Sequence, residues 1–228
     1  KGMKKSLANK LSLFFSGVVL VTCLILVGIT VLIFGNIRER MENVLYENTL
    51  ESYKTEVKSE VQSAISSVEY YYNLSEDGKI DEDTAKKDAL ETLRNLRYGD
   101  DSSGYFWVDD TDYNLVMHPI LPEQEGTNRY DLTDKNGVKI IQSIMKTADE
   151  GGGFNEFYFT KSDGKTVAPK VAYSQKFDKW NWVITTGIYS DDIQGIVQKS
   201  TGLNRIIKIF SGSTSFLIVV TVVLVVLM

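Results

Sequence analysis

Two long apolar runs lie at the ends of the 228-residue chain, with a mixed polar and apolar region between them. The first run, 11–34, has no charged residue, and a helix of this length reaches about 36 Å, enough to cross a bilayer with some tilt. The second run, 206–228, is interrupted only by Lys208 and by a short serine-, glycine- and threonine-containing stretch. The pattern predicts two transmembrane helices. More helix follows the first run, which favours a retained span over a cleaved signal peptide.

The charges beside the first run predict its orientation. Residues 1–10 carry lysines and no acidic residue, whereas the segment after the run mixes arginine with glutamate. Because lysine and arginine accumulate on the cytoplasmic side of membranes, residues 1–10 are expected to be cytoplasmic and residues 35–205 extracytoplasmic. The sequence therefore predicts a two-pass protein of the cell membrane. A cytoplasmic signalling part is expected beyond residue 228 and is absent from this chain.

One long helix is predicted at the start of the central region. From residue 36 to residue 73, apolar residues recur at steps of three and four, without proline or glycine. The apolar stripe is long enough to pack against a second copy of the chain, which predicts a homodimer. The alternative is a helix that only supports its own domain.

The pattern becomes strand-like after a second helix, which ends near residue 96. Alternating aromatic and β-branched residues predict five strands, with a crossover helix between the second and the third. The predicted strands are 104–110, 113–118, 154–161, 166–177 and 180–188, and the predicted crossover helix is 138–148. Together these elements predict an α+β fold, in which a five-stranded antiparallel sheet is flanked by the two transmembrane helices.

Composition excludes several classes of function. The net charge of −5 argues against a nucleic-acid partner. The chain has one cysteine and one histidine, so it can form neither a disulfide framework nor a zinc site of the usual ligands. No histidine-based nucleophilic triad is framed by a nucleophile-elbow pattern. The sequence therefore predicts a protein that is not an enzyme and that uses no cofactor or metal.

The candidate chemistry is a set of cations and hydrogen-bond donors within the aromatic segments. Arginine offers a planar fork for a carboxylate, lysine a point charge and tyrosine a neutral donor, while aromatic walls exclude water. Such a set predicts a pocket for a small organic anion, specifically a carboxylate. The residues predicted to bind it are Arg97, Tyr98, Trp107, His118, Tyr158, Lys170 and Tyr173.

Structural roles compete with ligand binding at these positions. Arg97 also suits a helix cap or a partner of the acidic turn 100–101, and Lys170 suits a solvated strand position. His118 precedes a proline, so it is held extended and equally suits a strand end. Each of the aromatic residues suits the core.

Several short motifs follow one another in an order that resembles a known family. They are Leu96-Arg97-Tyr98, Gly104 to Val108, Met117-His118-Pro119, Glu125-Gly126 with Asp134, Lys170 to Tyr173, Trp182 to Tyr189, and Asp191-Asp192-Ile193. Over residues 36–198 the chain is similar to the single-Cache sensor domain of bacterial methyl-accepting chemotaxis receptors and sensor histidine kinases. The resemblance implies a PAS-like sheet, a long dimerising helix and an extracytoplasmic pocket that often takes small organic acids.

Position by position, Arg97, Tyr98, His118 and Lys170 match strong motif positions of that family. Trp107 stands where similar domains often carry another apolar residue, and it either lines the pocket or fills the core behind it. The prediction is a transmembrane chemoreceptor that binds a small organic acid and signals through its second transmembrane helix. The alternatives are the input module of a sensor histidine kinase and a membrane solute-binding protein without output.

Overall fold

The computed structural model describes residues 7–99, 102–161 and 163–227. The first six residues of the predicted cytoplasmic segment and the acidic turn 100–101 lie outside the described residues. The chain divides into two compact units, one formed by Asn48–Gln194 and the other by Lys1–Glu47 together with Gly195–Met228. All seven predicted binding residues belong to Asn48–Gln194.

Helix α1 (Leu7–Glu76) contains both the first apolar run and the predicted long helix. Among the described residues, one helix is long and apolar enough to cross a membrane, and it is α1. Near the other end, α4 (Ser190–Lys199) is followed by α5 (Thr201–Leu227), in which a shorter apolar stretch covers Ser211–Val220. A second membrane span at 206–228 stays a prediction.

Two shorter helices complete the central unit. Helix α2 (Glu82–Asn95) is capped at its N-terminus by Asp81, whose carboxylate accepts hydrogen bonds from the backbone N–H and the hydroxyl of Thr84, at 2.8 and 2.7 Å. Helix α3 (Ile140–Asp149) is the predicted crossover helix, and it begins two residues later than the sequence pattern indicates.

The five strands form one antiparallel sheet, which confirms the predicted fold class. They are β1 (Trp107–Asp110), β2 (Leu115–Met117), β3 (Gly153–Thr160), β4 (Val167–Phe177) and β5 (Trp182–Tyr189), in the order β2-β1-β5-β4-β3. The first strand begins at Trp107, later than predicted, and Gly104 forms only an isolated bridge with Tyr98. The last also begins later, since Asn181 takes a positive φ of 51° in the preceding turn.

The two faces of the sheet are covered by different helices. On one, here called the α1 face, the sheet packs on α1 and α2 through the core residues Val57, Val61, Val68, Leu93, Phe106, Tyr173 and Ile184. On the other, the α3 face, it packs on α3 through Trp107, Leu115, Ile141, Ile144, Phe157 and Val183. Because successive strand residues point to opposite faces, residues adjacent in sequence pack into different hydrophobic cores, one on each face of the sheet.

Candidate ligand-binding site

The ammonium group of Lys170 is buried on the α3 face of the sheet. The residue is 1% exposed, and its Nζ donates a hydrogen bond of 2.9 Å to the Tyr105 hydroxyl. Nζ also lies 4.4, 4.7 and 4.8 Å from the ring centroids of Tyr105, Tyr189 and Trp107. No carboxylate of the described residues pairs with it. A buried cation without an anion is costly, and aromatic faces offset only part of that cost.

Strand register explains why these rings surround the lysine. Lys170 on β4 is paired with Tyr189 on β5 and with Phe157 on β3. Tyr105 and Trp107 are two residues apart near the start of β1, so they project to the same face. We call the group that surrounds the ammonium the lysine cluster, and its members are Lys170, Tyr105, Trp107, His118, Phe159 and Tyr189.

His118 presents a single N–H to the lysine cluster. Its Nδ1 accepts hydrogen bonds from the backbone N–H groups of Ile120 and Leu121, at 3.1 and 3.2 Å. A nitrogen that accepts in this way carries no hydrogen, so the neutral ring holds its proton on Nε2. Nε2 is buried and has no hydrogen-bond partner among the described residues. The imidazole centroid is 5.4 Å from that of Tyr105 and 6.0 Å from that of Trp107.

The imidazole of His118 is neutral at pH 7. Burial, together with the positive charges of Lys170, Arg129 and Arg94, lowers the pKa of His118 to about 3. His118 therefore contributes a donor and no charge.

The two tyrosines of the cluster differ in acidity. Burial alone would raise the pKa of Tyr105, but the charge of Lys170 and the hydrogen bond it donates lower that pKa below its ordinary value. Burial raises the pKa of Tyr189, and the nearby Tyr105 raises it further. The Tyr189 hydroxyl donates to the carbonyl oxygen of Thr160 at 2.8 Å. The Tyr105 hydroxyl thus accepts a hydrogen bond from the Lys170 ammonium, while the Tyr189 hydroxyl stays protonated and hydrogen-bonded to β3.

Trp107 belongs to both the core and the lysine cluster. It is 4% exposed and packs in the core under α3, with its ring parallel to that of Phe159 at a centroid distance of 6.5 Å. Its buried indole N–H has no hydrogen-bond partner among the described residues. Burial raises the pKa of the nearby Asp109, and Arg129 and the indole N–H of Trp107 offset only part of that rise. Asp109 is buried and forms an ion pair with Arg129. The indole ring therefore forms a wall beside Lys170, with Nζ 4.8 Å from its centroid.

Arg97 lies at the end of α2 and is exposed. Its Nη1 donates to the carbonyl oxygens of Arg94 and Leu96, at 2.8 and 2.7 Å, which caps the last turn of the helix. Within the described part of the chain, Arg97 makes no contact with the lysine cluster. An ion pair with the turn 100–101 lies outside the described residues.

Tyr98 packs in the core of the α1 face, and its hydroxyl is already engaged. Its oxygen is 2.7 Å from the Thr186 hydroxyl, which in turn donates to the carbonyl oxygen of Tyr105 at 2.6 Å. Thr186 has one hydroxyl hydrogen, so Tyr98 must be the donor in the first bond. Burial raises the pKa of Tyr98, which keeps this donor protonated.

The remaining predicted tyrosines also lie away from Lys170. Tyr173 is in the core of the α1 face, with its ring 5.0 Å from that of Phe154. Tyr158 follows Phe157, the register partner of Lys170, so strand alternation turns it to the other face. The Lys135 Nζ lies 3.6 Å from the Tyr158 ring centroid. The structure thus brings together Lys170, His118 and Trp107 of the seven predicted residues.

Three members of the lysine cluster were not among the predicted binding residues: Tyr105, Phe159 and Tyr189. A sequence signal existed for Tyr105, which shares a strand face with Trp107 at a spacing of two. Tyr189 ends the Trp182 to Tyr189 motif, but its contact with Lys170, like that of Phe159, depends on pairing between strands, which a local pattern does not indicate. Among the described residues there is no group of three or more metal-ligating side chains.

Residues 50–201 match the family model described as Single Cache domain 2. The chain belongs to this single Cache domain family. It is 32% identical over 159 residues to the sensor histidine kinase MctS of Rhizobium johnstonii, an alignment that covers 70% of this chain and 33% of the relative. It is 30% identical over 135 residues to the methyl-accepting chemotaxis protein McpP of Pseudomonas putida, covering 59% of this chain and 24% of the relative. The alignments thus span a quarter to a third of these relatives.

A solved Cache structure has the same architecture. A chemosensory Cache domain described in terms of carboxylic acid recognition superposes with a TM-score of 0.59 at 25% identity, covering 63% of this chain and 97% of that domain. The PAS-like α+β fold implied by the family resemblance is therefore confirmed. This chain is similar to sensor domains of chemoreceptors and histidine kinases.

Proposed function

We propose that this chain is the sensory part of a bacterial transmembrane chemoreceptor of the methyl-accepting type, and that its Cache domain binds a small carboxylate at the lysine cluster. The observation that carries the proposal is the buried ammonium of Lys170, which lacks an anionic partner among the described residues. A carboxylate in contact with Nζ would supply the missing charge. The likeness to a Cache domain that recognises carboxylic acids supports the same ligand class.

The charge count around the cluster favours a ligand with one negative charge. Arg129 is compensated by Asp109 and Arg94 by Glu125, while His118 is neutral. Among the described residues of the cluster and its charged neighbours named here, Lys170 is left as the one charge without an ion-pair partner, so a monocarboxylate balances the site. A second carboxylate would be buried among aromatic rings without a cation, which is unfavourable.

The donors around Lys170 suit a carboxylate group. An ammonium has three N–H donors, and Tyr105 takes one of them, which leaves two for the ligand. The Nε2–H of His118 offers one more, and the rings of Trp107 and Phe159 exclude water. Binding would therefore combine one charge pair with two or three hydrogen bonds in a dry site.

Tyr189 connects the cluster to the start of α4. Its ring faces the ammonium of Lys170 at 4.7 Å and that of Lys161 at 5.1 Å. Lys161 forms ion pairs with Asp191 and Asp192 in the first turn of α4, at 2.9 and 2.7 Å. Burial would lower the pKa of Lys161, but its hydrogen bonds with the two carboxylates raise it.

This arrangement supports signalling through the second predicted membrane helix. A carboxylate would draw the Lys170 ammonium away from the Tyr189 ring, which weakens their attraction. Tyr189 is the last residue of β5, so its displacement acts directly on α4 and on the chain that continues into α5. Ligand would shift α4 only by the difference in its affinity for two arrangements, typically 1 to 3 kcal/mol.

A ligand screen tests the proposed function. The 228-residue chain in detergent is heated with monocarboxylates, dicarboxylates, amines, amino acids or urea, and its melting temperature is recorded. A ligand at 100 times its dissociation constant adds about 2.7 kcal/mol of stability. Monocarboxylates should raise the melting temperature most. Stabilisation by amines or urea alone would overturn the anion proposal.

The input module of a sensor histidine kinase is the second candidate, favoured by the 32% identity to MctS. The same cluster would serve either output.

We further propose a two-pass arrangement with residues 35–205 outside the cytoplasm and a homodimer paired along α1. Cysteine cross-linking along 36–73 in membranes tests the dimer, since crosslinks should recur at steps of three and four residues.

A further inference from the structure

We propose that Glu125 is a positioning residue for His118, holding its backbone so that the Nε2–H points at the ligand, and that Arg94 holds Glu125 in turn. This proposal rests on the proposed function of the lysine cluster. Glu125 does not belong to the cluster and would act only through His118.

The loop from His118 to Glu125 is closed by a bond between its two ends. The Oε1 of Glu125 accepts the backbone N–H of His118 at 2.8 Å. The next residue, Gly126, donates its N–H to the carbonyl oxygen of Leu115 at 2.7 Å, which aligns this end of the loop with β2. The imidazole Nδ1 then accepts from the backbone within the same loop. The carboxylate of Glu125 thus fixes the backbone on which the orientation and tautomer of His118 depend.

Arg94 joins this loop to helix α2. Its Nη1 and Nη2 lie 2.8 and 2.9 Å from the Oε1 and Oε2 of Glu125, respectively, so the guanidinium contacts both carboxylate oxygens in a bidentate pair. Burial would raise the pKa of Glu125, but the hydrogen bonds from Arg94 and from the His118 backbone N–H lower it. Glu125 is therefore charged at neutral pH, and it performs two tasks, as the partner of Arg94 and as the acceptor for His118.

A charge swap separates the two tasks. In the double variant R94E/E125R the ion pair between α2 and the loop is restored, but residue 125 no longer offers an acceptor to the His118 backbone N–H. If Glu125 positions His118, the swap should recover thermal stability lost in E125R while monocarboxylate affinity stays about ten- to a hundredfold weaker than in the wild-type chain. Recovery of both stability and affinity would overturn the proposal.

Conservative and control variants sharpen the test. Glu125→Gln keeps an acceptor oxygen for the His118 backbone N–H but turns an amide NH2 toward the Arg94 guanidinium, so its affinity should fall between that of the wild-type chain and that of Glu125→Ala, which should lose binding. Glu123→Ala removes an exposed carboxylate from the same loop and should change neither affinity nor stability. Near-UV circular dichroism establishes that each variant is folded. A Gln variant that binds no better than the Ala variant would count against positioning through the acceptor.

The second readout needs no ligand, because His118 is the only histidine of the chain. With ¹⁵N-histidine label, solid-state NMR of the chain in lipid reports the tautomer and the protonation of this one imidazole. The wild-type and Glu125→Gln chains should show the neutral Nε2–H form at pH 6, while Glu125→Ala and the swap should show mixed tautomers or the protonated ring. A wild-type imidazole spectrum in Glu125→Ala would overturn the proposal. If no acid binds the wild-type chain, the proposed function fails while this test of positioning still stands.

Discussion

The ring of Tyr189 lies between two ammonium groups, 4.7 Å from Lys170 Nζ and 5.1 Å from Lys161 Nζ. One cation is buried in the lysine cluster and the other is paired with the first turn of α4. This relationship joins the proposed binding site to the segment that continues toward the second predicted membrane span.

Replacing Lys170 by methionine should abolish binding without unfolding the domain. Methionine is similar in length and suits the aromatic surroundings, so removing an unpaired buried charge should leave the free energy of unfolding unchanged or raise it by about 1 kcal/mol. Urea unfolding gives the stability and isothermal calorimetry with monocarboxylates gives the affinity. Lys165→Met, on the exposed β3–β4 turn, is the matched control and should bind like the wild-type chain. Binding that survives in Lys170→Met would remove the lysine cluster from the proposal.

Replacing Lys161 by methionine should separate binding from its effect on α4. The variant keeps Lys170 and should bind monocarboxylates normally, but without the ion pairs to Asp191 and Asp192 the first turn of α4 should exchange its amide hydrogens about two- to fivefold faster. The change in exchange that ligand causes in the wild-type chain should also be lost. Hydrogen-exchange mass spectrometry on peptides covering 189–199 measures both effects. A ligand response equal to that of wild type would show that coupling runs elsewhere.

Acid should destabilise the folded chain through His118. Its folded pKa of about 3 lies below the ordinary value of 6.5, so the unfolded chain takes up a proton first as the pH falls. The stability from neutral His118 is fully present above pH 6.5 and is lost between that pH and about pH 3, by about 1.4 kcal/mol per pH unit. In His118→Asn, the amide oxygen can replace Nδ1 as acceptor. Urea unfolding at pH 5 and pH 7 gives the loss of unfolding free energy on acidification for the wild-type and the Asn chain, and the difference between the two losses is the contribution of the histidine. Equal losses in the two chains would contradict a buried neutral ring.

Replacing Arg97 by alanine should have a small effect. The guanidinium caps α2 through two backbone carbonyls, so its loss should cost about 0.5 kcal/mol of unfolding free energy. Monocarboxylate affinity should stay within about threefold, because no contact links Arg97 to the lysine cluster within the described residues. A complete loss of binding in a folded variant would instead support the role in ligand binding that the family resemblance implies.

The fold could be predicted from periodicity, while the composition of the cluster could not. Steps of three and four residues define α1, and alternation defines the sheet, because both patterns are local. The face on which each tyrosine lies depends on strand register, and a slip of one residue exchanges the two faces. Tyr158 is adjacent to Phe157, the register partner of Lys170, yet it points away from the lysine.

Polar contacts between residues far apart in the chain could not be predicted from the sequence either. Arg94 and Glu125 are 31 residues apart, and neither stands in a local pattern that indicates the other. Arg97, three residues from Arg94, fits the family motif better but turns back onto its own helix. Which of two nearby arginines reaches across a fold depends on where the helix ends, a boundary that propensity defines only to within a few residues.

The position of Trp107 gives this protein a reporter of its own. Of the three tryptophans in the chain, Trp180 and Trp182 lie together in the core of the α1 face, 4.8 Å apart. Trp107 alone has its ring beside the Lys170 ammonium. Any event that moves or neutralises that charge changes the electric field on one indole and leaves the other two in their surroundings. The tryptophan fluorescence of the unlabelled chain should therefore change when the site is occupied, and Trp107→Phe should abolish that change.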